Sequence, residues 1–188
     1  MKVFNRSVLM KTHALLAVFV LPVAIMFFVT GALYTWGIKG SYDVSVHELH
    51  LKKPIHDEHN ELVALAEIEL KKLNIARPTG EAKIKRIGSA FKLEWTGSNM
   101  DVVLESTSQP LLLKLEVKKT SWYRQLVQLH KAKGGTPFKV YAAVLATALL
   151  FVLITGFIMA WQLPSLRKLT LVSAVLGIAA FIAMIVFS

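Results

Sequence analysis

The 188-residue chain has no cysteine. That removes disulfides, iron–sulfur ligation and thiol catalysis from the chemistry open to it. Acidic side chains are missing from most of it too, because all 12 Asp and Glu fall between Asp43 and Glu116. It has no G-x-G-x-x-G run, phosphate loop, nucleophile elbow or zinc-protease motif, so nothing marks a nucleotide-binding or hydrolase domain. Three stretches, residues 14–36, 140–163 and 169–188, carry no charge at all. Each meets the roughly 20 residues that a helix needs to cross a bilayer.

What is present fits those runs. The chain is 54% hydrophobic with a mean hydropathy of +0.52, which belongs to the membrane class. The first run greatly exceeds the usual apolar core of about 7–15 residues in a signal peptide, and no small-x-small cleavage site follows, so it is expected to remain as an anchor. Lys2, Arg6 and Lys11 precede the first span, and Arg167 and Lys168 lie between the second and third. Short basic pieces of this kind stay on the cytoplasmic side. The expected layout is therefore a cytoplasmic N-terminus (1–13), a first span (14–36), a large segment (37–120) in the periplasm, an interfacial helix (121–135), a second span (137–162), a cytoplasmic turn (163–168) and a third span (169–187), all in a bacterial inner membrane. The net charge of +10 is interleaved with acids and forms no stripe. Nucleic acid is not expected as a partner, and anionic membrane lipids account for the cytoplasmic bases.

Within the large segment, Leu62, Leu65, Ala66, Leu70 and Leu73 recur at helical spacing and predict a helix from 58 to about 74, ended by Ala76-Arg77-Pro78-Thr79-Gly80. Phe91, Leu93 and Trp95 alternate with polar neighbours, as do Leu111, Leu113, Leu115 and Val117. With residues 82–88 and 100–106 these predict four strands, and hence an α+β module of one helix on a small antiparallel sheet. His47, His50, His56 and His59, among Asp43, Glu48, Asp57, Glu58 and Glu61, match no strong metal motif. They read as a solvated polar linker, with weak iron docking as the other reading. From Ser121 to Ala132, Trp122, Tyr123, Leu126, Val127 and His130 can share one helical face. Arg124, Gln125, Gln128 and Lys131 fall largely on the other, and Gly134-Gly135 is expected to end this helix.

The most informative feature is a repeat. Thr30-Gly31-Ala32-Leu33-Tyr34-Thr35-Trp36 and Thr155-Gly156-Phe157-Ile158-Met159-Ala160-Trp161 share the pattern Thr-Gly-x4-Trp, and each is preceded upstream by a single histidine, His13 or His130. An ionisable ring at a membrane boundary is costly unless something holds it. A Thr-Gly step offers a nearly bare surface that another backbone or a flat macrocycle can approach. Together these point to a haem-carrying membrane protein.

Lys11-Thr12-His13 opening the first span, Leu129-His130-Lys131 approaching the second, and the two Thr-Gly endings resemble the PepSY-associated transmembrane proteins. The helix-plus-sheet segment is similar to a PepSY-type domain in element order. The whole resembles the small VciB-type bacterial ferric reductases. The resemblance implies a membrane α-helical fold with three transmembrane helices and an inserted α+β PepSY-like domain. It also implies b-type haem held by His13 and His130, and electron transfer to ferric iron or a ferric chelate in support of iron uptake.

The residue count sharpens this expectation. At about 1.5 Å per residue, a bilayer's thickness separates His13 from His130, so one haem cannot bridge them. One chain offers one imidazole per side, and bis-histidine ligation then requires a homodimer with two haems. Because the first two spans run in opposite directions, Gly156 falls at the depth of His13 and Gly31 at that of His130. Met10 or Met159 is the competing axial ligand on the inner side. The electron donor must be external: a flavoprotein, reduced flavin or a quinol. Two other functions stay open, a non-enzymatic membrane-anchored module that binds a periplasmic protein, and an accessory subunit of an iron transporter.

Overall fold

The computed structural model describes residues 5–88 and 90–188. Lys2, counted above among the N-terminal bases, lies outside them. The chain forms two compact units, Met1–Ala24 with Ala143–Ser188, and Ile25–Ala142. Three helices are long and apolar enough to cross a membrane: α1 (Arg6–Thr35), α4 (Thr136–Gln162) and α5 (Pro164–Phe187).

The first unit consists of the N-terminal part of α1, most of α4 and all of α5. Helix α1 begins at Arg6, so His13 sits inside a helix and not at its start. The turn expected over 163–168 shrinks to Leu163, because Pro164 opens α5 directly. Proline suits that position, where its missing N–H has no intrahelical partner to lose. Arg167 and Lys168 thus stand on α5, and Arg167 Nε donates to the Trp161 carbonyl at 2.9 Å.

The second unit holds β1 (Tyr42–His50), α2 (His59–Lys72), β2 (Ala82–Ile87), β3 (Ala90–Thr96), β4 (Met100–Ser106), β5 (Leu112–Thr120) and α3 (Trp122–His130). The strands make one antiparallel sheet in the order β1-β5-β4-β3-β2. Cross-strand rows Leu93–Leu104–Leu115 and Trp95–Val102–Val117 bury one face of it under Leu62, Ala66 and Leu70 of α2. Those α2 positions recur every fourth residue and make one stripe. Asn74, at φ 55°, closes α2 ahead of the Arg77-Pro78 stretch, with Ile75 N–H returning to the Leu70 carbonyl at 2.9 Å. The opposite face of the sheet carries charged cross-strand pairs such as Lys92–Glu105 at 2.6 Å.

Three expectations for this second unit also need correction. The segment read as a polar linker contains a fifth strand, β1, paired with β5 over its whole length from Tyr42↔Thr120 to His50↔Leu112. Helix α3 ends at His130, before the glycines. Ala132 takes φ 56°, its N–H returns to the Leu129 carbonyl at 2.9 Å and that of Lys133 to the Gln128 carbonyl at 3.0 Å, a complete Schellman closure made without glycine. Gln128, placed on the polar face, is fully buried.

Candidate functional site

Two histidine sites are built alike, one in each unit. In the first unit His13 Nδ1 lies 2.8 Å from Thr155 Oγ1, and in the second His130 Nδ1 lies 2.8 Å from Thr30 Oγ1. Each threonine hydroxyl also contacts its own helix. Thr155 donates to the Phe151 carbonyl at 2.7 Å, and Thr30 to the Met26 carbonyl at 2.6 Å. A hydroxyl has one hydrogen, and a carbonyl in an apolar helix offers only an acceptor. The hydroxyl proton is therefore spent on the backbone, and the oxygen faces the imidazole as an acceptor. Nδ1 of each histidine must then carry a proton and donate it. With Nδ1 occupied in this way, Nε2 is the nitrogen that a neutral ring would offer to a metal.

The glycines complete the seat. A Cβ on Gly156 would stand 3.5 Å from His13 Cε1, and one on Gly31 would stand 3.2 Å from His130 Cε1 and 3.9 Å from Nε2. The space that each glycine frees thus holds the imidazole itself, where another backbone or a flat macrocycle is expected from the Thr-Gly step. Phe27 stands beside His130 with ring centroids 4.9 Å apart. A groove of about 430 Å³ opens beside it, lined by Gly31, Tyr34, Thr35, Val127, His130 and Lys131. Of the competing methionines, Met10 is exposed and Met159 half-buried on α4.

His130 is positioned by contacts that sequence reasoning missed. Ser121 caps α3 by accepting from Arg124 N–H at 3.3 Å, and the segment after α1 is tied to that end of the helix. Tyr123 Oη donates to the Ile38 carbonyl at 3.2 Å and Arg124 Nη1 to that of Lys39 at 3.1 Å. Gly40, at φ 74°, lies so close that a Cβ there would meet Arg124 N at 2.8 Å, and only glycine satisfies both conditions. Farther along α3, Gln128 Nε2 donates to Asp101 Oδ2 and to Tyr42 Oη, each at 3.0 Å, while Tyr42 Oη donates to Asp101 Oδ2 at 2.7 Å. Lys133 Nζ stands 3.8 Å from Asp101 Oδ1. Burial, aided by the Asp101 hydrogen bond, holds the Tyr42 phenol above its usual pKa. Burial also pushes the Lys133 ammonium below its usual value, against the attraction of Asp101. The available signal was Asp101 itself, the one acid within Met100-Asp101-Val102-Val103-Leu104.

Asp101→Ala is expected to leave Gln128 Nε2, Tyr42 Oη and the Gly97 N–H (3.2 Å from Asp101 Oδ1) without their shared acceptor. Each buried donor left unpaired costs on the order of 1–3 kcal/mol. Denaturant unfolding in detergent should show the second unit destabilised by at least one such increment. An unchanged midpoint would mean that Asp101 does not anchor α3.

The four upstream histidines do not assemble. His59 Nε2 contacts the Ala82 carbonyl at 3.0 Å, His56 lies 3.9 Å from Glu61, and Asp57 pairs with Arg86. Among the described residues no three His, Asp or Glu side chains form a metal-holding group.

No curated protein and no solved structure matches the chain. The family model described as the PepSY-associated TM region matches residues 2–162, spanning α1, the α+β unit and α4, and so both histidine–threonine pairs. The chain belongs to the PepSY-associated TM region family.

Proposed function

We propose that this protein is a haem b-dependent electron carrier of the bacterial inner membrane that reduces periplasmic ferric iron or ferric chelates to the ferrous state for uptake. The observation that carries the reading is the repeated seat, an imidazole locked by a threonine acceptor with Nε2 left free. Metal-ligating histidines almost always donate their other nitrogen to an oxygen, which fixes ring orientation and tautomer. The residues fit a haem. His13 and His130 would each offer a nitrogen to the iron, and Val127, Gly31 and Phe27 put apolar surface beside His130. When bound, haem supplies a one-electron ferric–ferrous couple, tuned by axial ligand and burial. The chain's own work is to orient each ring through Thr155 and Thr30, to seat it on Gly156 and Gly31, and to keep water from it with residues such as Phe27.

One imidazole per site leaves a six-coordinate iron short of a ligand, so the active form in this reading is a twofold homodimer with two haems. Electrons enter from an external flavoprotein, reduced flavin or quinol. By the distribution of short basic segments, the N-terminus is cytoplasmic and the α+β unit periplasmic. A second reading rests on a separate observation. Edge strand β1 leaves one side unpaired and exposes Val44 and Val46, so a partner's strand could add there and the helices would serve only as anchor.

An absorption spectrum of the detergent-purified full chain separates the two. The redox reading expects a Soret band and a sharp α band on reduction, two haems per dimer and a native mass twice that of the chain. Folded but colourless protein overturns it and favours the anchor.

The threonines supply a more specific test. Thr30→Val or Thr155→Val removes the acceptor but keeps the shape. An imidazole whose N–H has lost its acceptor is a weaker donor to oxidised iron, so the midpoint potential of one haem should rise. Haem affinity at that site should fall about 10- to 100-fold, and Thr→Ser should restore both. Unchanged potentials in both valine variants would remove the threonines from the mechanism.

A further inference from the structure

The groove beside His130 is lined by Lys131, and a second lysine, Lys39, stands on the ring of Tyr34 that lines it too; nothing described so far uses either ammonium group. Lys131 follows His130 at the end of α3, and Lys39 belongs to the short segment after α1 that is tied to the start of α3. Their ammonium groups converge on one ring: Lys39 Nζ lies 5.3 Å and Lys131 Nζ 5.5 Å from the centroid of Tyr34, which itself lines the groove. A cation over an aromatic face is held in place without being neutralised. Among the described residues neither lysine pairs with a carboxylate, and no acidic side chain lines the groove. The neighbouring cations are occupied otherwise, Lys133 by Asp101 and Arg124 by the Lys39 carbonyl and Tyr42 Oη.

We propose that Lys39 and Lys131, gathered on Tyr34, are the carboxylate-binding end of the His130 site and take the two propionates of the haem held there. This rests on the haem reading above and deepens it. A haem b ring is a flat apolar body with iron at its centre and two carboxylates on one edge. The groove and its surroundings offer the matching set: an imidazole, an apolar wall from Val127 and Gly31, and two unneutralised ammonium groups on the Tyr34 ring. Anionic carboxylates next to apolar surface need such partners, and exposed ammonium groups supply them at little desolvation cost. The pair would also fix which way round the ring enters, because the opposite edge of haem carries no charge. The competing occupant is the phosphate of an anionic lipid, which two lysines near a helix end would also attract.

The test uses the full chain in detergent carrying His13→Ala, so that only the His130 site is loaded, and follows haem release to an excess of an apo-globin. Lys39→Gln and Lys131→Gln should each speed release about fivefold, and together about twentyfold, as exposed charge pairs allow. Lys131→Arg should keep the original rate. The same chain loaded with haem dimethyl ester, whose carboxylates are blocked, should release as fast as the double glutamine variant. The lysine substitutions should then have no further effect. Equal release of haem and its dimethyl ester, or a lysine effect that persists with the ester, would overturn the proposal and assign the lysines to lipid. Failure of the unsubstituted chain, prepared beside it, to bind haem would refute the haem reading itself.

Discussion

His13→Ala and His130→Ala should each remove about half of the bound haem, and the double variant should hold none. Each imidazole is the sole ring of its kind beside its threonine. The remaining four histidines, from His47 to His59, lie before or at the start of α2, where His59 already faces the Ala82 carbonyl. An axial ligand therefore has no local substitute, and an iron without one is not retained. The fold should survive, because each substitution deletes one neutral hydrogen bond, worth about 1 kcal/mol net. Haem per chain, measured as the pyridine adduct, and the melting curve of the same sample decide the matter. Full retention in both single variants would end the ligand assignment. Complete loss in either would show that the two sites do not load independently. A monomer holding two ordinary six-coordinate haems would leave electron transfer intact but remove the need for a second subunit.

Substitutions at the two glycines should have unequal effects, and the inequality follows from a few tenths of an ångström. A methyl group on Gly156 meets His13 Cε1 at 3.5 Å, an ordinary contact, whereas one on Gly31 meets His130 Cε1 at 3.2 Å. Gly156→Ala should keep its haem and strengthen α4, since alanine is favoured over glycine inside a helix by about 1 kcal/mol. Gly31→Ala should gain the same helix term in α1 yet displace the His130 ring from Thr30, lowering haem occupancy at that site alone. Leucine at either position overfills the seat, at about 1–3 kcal/mol for a packed site, and should empty it. Gly31→Leu should then match His130→Ala, and Gly156→Leu should match His13→Ala. Redox titration resolves which haem is lost. Loss of the same haem in both leucine variants would contradict the pairing of each glycine with the histidine of the other helix.

These expectations draw on different levels of organisation. Long charge-free runs can satisfy their backbone only as helices in lipid, so three long apolar helices were legible, although α1 starts at Arg6 and α5 at Pro164, ahead of the runs that begin at 14 and 169. So was α2, expected from 58 to about 74 and observed as His59–Lys72, because one leucine stripe at helical spacing has a single way to be buried. The pairing of each Thr-Gly step with the other span's histidine was also legible, since consecutive spans run in opposite directions. Strand β1 was not. As an edge strand its residues are exposed or only half-buried, so Asp43, Ser45, His47 and Glu48 cost little there and no apolar alternation was required of it. Gln128 was misplaced because a nine-residue helix can be covered on both sides, and its acceptor, Asp101, comes from β4. The protonation of the two imidazoles lay furthest out of reach. It depends on where one hydroxyl hydrogen goes, which is set when packing brings a threonine within 2.8 Å of the ring while its own helix carbonyl claims that proton. Local sequence can dictate which residues enter the membrane and which carbonyl a helical threonine reaches, but the imidazole that meets its oxygen comes from a separate segment, and only the tertiary structure brings the two together.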